Sequence, residues 1–145
     1  MSNMLDFKFN WDSSIETGFE TVDQQHKELF RIGRAIEQLV ITKCIGIEDR
    51  YILDIVCALR EYAAFHFYEE EHLMEQYQIE QIEEHRKRHE EYRKMILSID
   101  LKKLSADPYP EMIRLKSALT EAIFTHVLVM DKDMMQEVKK RMAEI

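Results

Sequence analysis

The chain has 145 residues, enough for one domain with a real core and too few for two. It is 46% hydrophobic and 33% charged, with three Gly and two Pro, which suits long amphipathic helices and argues against a many-turned β fold. Net charge is −8 with no long run of Lys or Arg, so neither nucleic acid nor an anionic membrane surface is an expected partner.

Residues 1–18 read as an extended arm carrying Trp11 and closed by a Thr17–Gly18 break. Met1 to Asn10 lacks the basic stretch and apolar run of a signal peptide. From Phe19 the apolar residues fall at helical spacing, through Val22, Leu29, Phe30, Ile36, Leu39 and Val40, until Gly46 interrupts them. A second helical pattern runs from Ile52 through Ile55, Leu59, Tyr62 and Ala63 to Leu73 and Tyr77. A third carries Ile82, Tyr92, Ile96 and Ile99. Asp107–Pro108–Tyr109–Pro110 breaks the chain, because each proline disfavours helix in the residue before it. A fourth helix follows through Met112, Leu115, Leu119 and Ile123. The longest apolar stretches, such as Val127 to Met130, are too short to span a bilayer. Cys44 and Cys57 form no close motif and read as reduced thiols of a cytoplasmic protein. The expected fold is all-α: residues 1–145 form a single antiparallel up-down-up-down four-helix bundle with an extended N-terminal arm.

The histidines give this bundle its chemistry. His85 and His89 fill the two gaps in the third apolar stripe and lie four residues apart on one face. His66 and Glu70 make a second such pair. His26 falls between Val22 and Leu29, and His126 follows Leu119 and Ala122, with Asp131 five residues later. His72 lies two residues from Glu70, about 200° around the helix, and points away. One inward histidine is ordinarily a core residue with a hydrogen-bond partner. Five of them with an inward Glu and Asp, drawn from all four helices, demand a cation, because buried unpaired carboxylates cost several kcal/mol each. Imidazole nitrogen with carboxylate oxygen suits iron. Five imidazoles, two bridging carboxylates and one shared oxygen fill eleven of the twelve positions of two octahedral ions, leaving one open to a small ligand.

The same residues decide two points of structure. Between the second and third helices, no Gly or Pro near Gln76–Ile79 forces a turn. In one unbroken helix Glu70 and His85 would stand roughly 22 Å apart, so a turn is required there. Asp131, at five residues from His126, would sit about 140° off the inner face of an ideal helix. Either a local π widening between the two turns it inward, which is the expectation, or Asp131 is a surface residue with a helix-end role.

The chain resembles the hemerythrins, in particular the single-domain bacterial ones. The likeness rests on Asp23-Gln24-Gln25-His26 with Leu29, on His66-Phe67-Tyr68-Glu69-Glu70 with Leu73-Met74, on His85-Arg86-Lys87-Arg88-His89, and on His126 through Asp131. It spans roughly Trp11 to Asp131. The resemblance implies two iron ions bridged by Glu70, Asp131 and an oxo or hydroxo group. His85, His89 and His126 would hold the filled iron, and His26 and His66 the iron with the open position, where dioxygen binds end-on. Many relatives carry Trp where this chain has Ala122, and a pocket-lining Leu where it has Ile123. The wider pocket implied by Ala122 predicts faster autoxidation.

Dioxygen binding without substrate turnover, for storage, transport or scavenging, is the leading expectation. A slow di-iron redox enzyme (a peroxidase or one handling nitric oxide) and an oxygen or redox sensor are the rivals. Carboxylate-rich ligation with Glu-x-x-His pairs, usual in di-iron enzymes, is missing from this His-rich set. The acidic cluster Glu69 to Glu75 reads as a solvated helix face, and the nine Met as core filling.

Overall fold

The fold is a computed structural model describing residues 11, 13–121 and 130–144, the side chain at 14 excepted. A turn of 3-10 helix at Ser13–Ile15 precedes α1 (Glu20–Ile41), α2 (Asp49–Gln76), α3 (Ile82–Leu97), α4 (Leu101–Ala106), α5 (Pro108–Glu121) and α6 (Lys132–Ala143). α1 packs on α2 and α5, α2 on α3, and α3 on α5, closing a ring of four helices. α4 rests on α5 and α2, and α6 returns to α2. This is the expected helical bundle with a fourth helix that includes α5 and with α6 beyond it. Residues 122–129 between them lie outside the described residues. Among the described residues no helix is long and apolar enough to cross a membrane.

Local chemistry explains most of the joints. The arm is not wholly extended: Ser13–Ile15 coils before the chain reaches α1. The Asp23 carboxylate then accepts hydrogen bonds from Thr17 N (2.8 Å), Thr17 Oγ1 (2.8 Å) and Gly18 N (3.1 Å). Gly18 sits at φ +89°, where a side chain would be strained. α2 ends in a Schellman turn: Gln78 N donates to Glu75 O, and Ile79 N to Met74 O, with Gln78 at φ 53°. The reversal falls at the joint that the ligand positions require.

Two details between α3 and α5 differ from the sequence expectation. The connection contains the short helix α4, whose first turn is capped by Asp100 Oδ1 accepting from Lys102 N and Lys103 N. Arg60 of α2 donates to the Ile99 carbonyl at 2.7 Å and pins the joint. The proline stretch breaks the chain only at Asp107 (φ −151°, ψ 89°). Pro108 and Pro110 both lie in the first turn of α5, and Tyr109 is helical. Prolines there cost little, since first-turn N–H groups have no partner within the helix.

The interior has two apolar parts. The larger joins Leu29, Phe30, Ile36, Leu59, Phe67, Tyr92, Ile96, Met112 and Leu115. The smaller joins Val22, Met74, Ile79, Met134, Met135 and Val138. Each fully buried aliphatic or aromatic side chain contributes about 1.5–3 kcal/mol. His26 lies between Val22 and Leu29 on α1, Glu70 between Phe67 and Met74 on α2, and His85 between Ile82 and Tyr92 on α3. A polar layer therefore separates the two cores.

Candidate metal centre

Four helical segments supply the polar layer. α1 brings His26, α2 brings His66 and Glu70 one turn apart, α3 brings His85 and His89 one turn apart, and Asp131 enters just before α6. All six residues are 0–1% exposed. The backbone at Met130 and Asp131 has the wider π-helical pattern, and Asp131 points inward. His126, Ala122 and Ile123 lie outside the described residues, as does the start of the expected widening. His72 is exposed and stacks on Tyr68.

The two carboxylates organise the imidazoles. Glu70 Oε1 lies 2.6 Å from His85 Nε2 and 3.3 Å from His89 Nε2. Glu70 Oε2 lies 3.4 Å from His66 Nε2 and 3.9 Å from His26 Nε2. Asp131 repeats the division, with Oδ1 at 2.9 Å from His85 Nε2 and Oδ2 at 3.1 Å from His26 Nε2 and 3.4 Å from His66 Nε2. Each carboxylate thus turns one oxygen to the His85 side and the other to the His26–His66 pair. Two four-residue groups result, His26–His66–Glu70–Asp131 and Glu70–His85–His89–Asp131, sharing both carboxylates.

This arrangement fits a pair of cations. With ligands at about 2.1 Å, neighbouring donors of an octahedral ion stand about 3 Å apart. The nearest nitrogen–oxygen separations here, 2.6 to 3.4 Å, bracket that value. The Nε2 atoms of His26, His66, His85 and His89 all face the carboxylates, and imidazole with carboxylate is the donor set that suits iron. In the metal-free chain a proton stands in for part of the missing charge. Burial alone would lower the His85 pKa, but hydrogen bonds to Asp131 and Glu70 and their negative charge outweigh it and push it up to about 9.

Residues behind the imidazoles orient them. His66 Nδ1 donates to Gln25 Oε1 at 2.9 Å, both side chains buried, which leaves the lone pair on Nε2. Behind His89, Glu71 Oε2 stands 3.5 Å from Nδ1. Burial would raise the Glu71 pKa, yet its hydrogen bond to His89 and the charges of His89, Arg86 and Arg93 hold it below the usual range. Phe67 stacks on the His89 ring at 4.3 Å and 18°.

Sequence reasoning missed these supports. Gln25 had a readable signal, since it lies three residues after Val22 and four before Leu29 and so occupies an inward position. Glu71 had none, because it sits inside the acidic run Glu69 to Glu75, which reads as a solvated face, although Glu71 is only 20% exposed and reaches His89.

Comparison with known proteins agrees with this geometry. A family model described as the hemerythrin HHE cation binding domain matches residues 17–138. A bacteriohemerythrin from Clostridium acetobutylicum is 26% identical over 125 residues, covering 86% of this chain and 97% of the relative.

Proposed function

Because the chain belongs to the hemerythrin family, we propose that it holds two iron ions in the layer between its two cores and binds dioxygen reversibly at one of them. The observation that carries this reading is the division of both carboxylates, Glu70 and Asp131, between the two histidine groups. A single-ion site has no use for two carboxylates that each face both ways.

In this reading His85, His89 and His126 would hold one iron, and His26 and His66 would hold the other, which keeps an open position. Glu70 and Asp131, each facing both histidine groups, would be shared between the two ions. When bound, the iron pair supplies one open coordination position and two electrons that dioxygen takes up and gives back. The protein does the rest. Gln25 fixes the His66 tautomer, Glu71 supports His89, and Phe67 holds the His89 ring flat. Val22 and Met74 on one side, with Leu29 and Phe67 on the other, are buried apolar neighbours of His26, His66 and Glu70 along α1 and α2 and keep water from that part of the layer. Dry surroundings protect a bound ligand from protonation and loss. The donor set is rich in histidine and leaves a single position open, which favours binding over turnover. Free thiols at Cys44 and Cys57 suit the reducing cytoplasm, where we place the chain.

The optical spectrum of the anaerobically reduced protein, before and after air, tests the proposal. A charge-transfer band that appears with oxygen, vanishes on its removal and returns on re-exposure is expected. Irreversible conversion to a ferric spectrum would instead assign the site to an enzyme or a sensor.

A further inference from the structure

A cavity of about 270 Å³ opens from the surface onto the His85 side of the cluster, lined by Gln81, Glu84, His85, Met130, Asp133, Met134 and Glu137. Three of its lining residues are carboxylates, and no Lys or Arg lines it among the described residues. Glu84 and Asp133 are exposed, and the half-buried Glu137 makes one weak pair with Arg141 at 3.5 Å. On their own these acids would be an ordinary solvated surface. Their placement is what matters, because the same cavity is lined by His85, which is 0% exposed and belongs to the cation-capable group with Glu70, His89 and Asp131. The acidic mouth and one buried donor residue, His85, line the same cavity.

We propose that this cavity is the route by which ferrous ions reach the site, with Glu84, Asp133 and Glu137 concentrating the hydrated cation and His85 receiving it. The proposal rests on the iron-binding function given above. Size agrees: six waters at about 30 Å³ each occupy roughly 180 Å³, so a hydrated divalent ion fits before it sheds its shell. Charge agrees as well, since a cleft lined by one sign of charge raises the local concentration of its counter-ion. Dioxygen is neutral and gains nothing from carboxylates. Neither His26 nor His66, the pair assigned to the open position, lines the cavity. The cavity therefore meets the cluster on the His85 side and not at the His26–His66 pair.

Anaerobic uptake of ferrous ion by the metal-free chain, sampled by stopping with a strong chelator, tests the route. The variant Glu84→Gln/Asp133→Asn/Glu137→Gln neutralises the mouth. The control Glu48→Gln/Asp54→Asn/Glu61→Gln removes the same charge from exposed positions elsewhere. At low ionic strength the mouth variant should load about tenfold more slowly than the control. The gap should narrow in high salt, while the final iron content stays equal. If the unmodified chain loads fully and both variants load at one rate, the route is refuted while the iron-binding reading stands. If the unmodified chain takes up no iron, that reading fails and the route falls with it.

Discussion

Replacing Gln25 with Leu removes one hydrogen bond and leaves most of the packing volume in place. His66 Nδ1 loses its acceptor at 2.9 Å in a region where Gln25 is 3% and His66 0% exposed. An unsatisfied buried N–H costs about 1–3 kcal/mol. Part of that is returned, because the Gln25 amide nitrogen is buried without a hydrogen-bond partner among the described residues, and Leu removes it. Global stability should therefore fall by only about 1 kcal/mol. The effect on metal should be larger and local. Residues that orient a ligating histidine are commonly worth 10–100-fold in metal affinity, or about 1.4–2.7 kcal/mol.

His66 serves only one of the two groups of donors, so the loss should be confined to one of two iron equivalents. Titration of the metal-free variant with ferrous ion against a competing chelator separates the equivalents. One should weaken by at least tenfold while the other keeps its affinity. Gln25→Glu keeps an acceptor at the same place and adds negative charge, and should restore or tighten the weakened equivalent. Equal weakening of both equivalents in Gln25→Leu, or no weakening of either, would refute the claim that Gln25 acts by holding His66.

Three further outcomes follow from the geometry. Asp131→Asn retains one oxygen donor but loses the bridging charge, so iron per chain should drop below two; unchanged iron content and spectrum would remove Asp131 from the ligand set. Gln78→Gly relieves a left-handed residue at φ 53° and should raise stability by about 0.5–1 kcal/mol, read as a higher urea midpoint with unchanged slope. The proton on His85, with a pKa raised to about 9, favours the folded metal-free chain fully below pH about 6.5, and that contribution fades as pH rises toward 9. Metal competes for the same Nε2, so ferrous ion should bind more tightly as pH rises from 7 to 9. Proton release on loading should be measurable by titration in weak buffer.

The bundle was readable because its helices obey one period and most of its joints carry ordinary signals. Gly46 marks the end of the α1 connection with its own φ of 73°, and Asp107 breaks where a following proline demands it. The turn after α2 was different. Its left-handed position is filled by Gln78, a residue with no preference for that conformation, so local propensity was silent there. Only the need to bring Glu70 beside His85 placed the reversal, and the two side chains meet at 2.6 Å. α4 escaped notice because a six-residue helix has no apolar period long enough to read. Its signal is the single cap at Asp100.

Site legibility followed from electrostatics more than from pattern. His26, His66, His85 and His89 stood out because imidazoles at core positions are costly singly and incoherent together unless a cation joins them. That logic finds donors and stops there. It cannot find Gln25, whose neutral amide costs little wherever it sits. Nor can it find the cavity at His85, which depends on how the starts of α3 and α6 are spaced across residues distant in sequence. Orientation and access are properties of the assembled layer. The polar layer lies between two cores, with Val22, Met74 and Met135 presenting one apolar face to it and Leu29, Leu59 and Phe67 the other. Enlarging either face should therefore perturb ligand retention before it perturbs iron content.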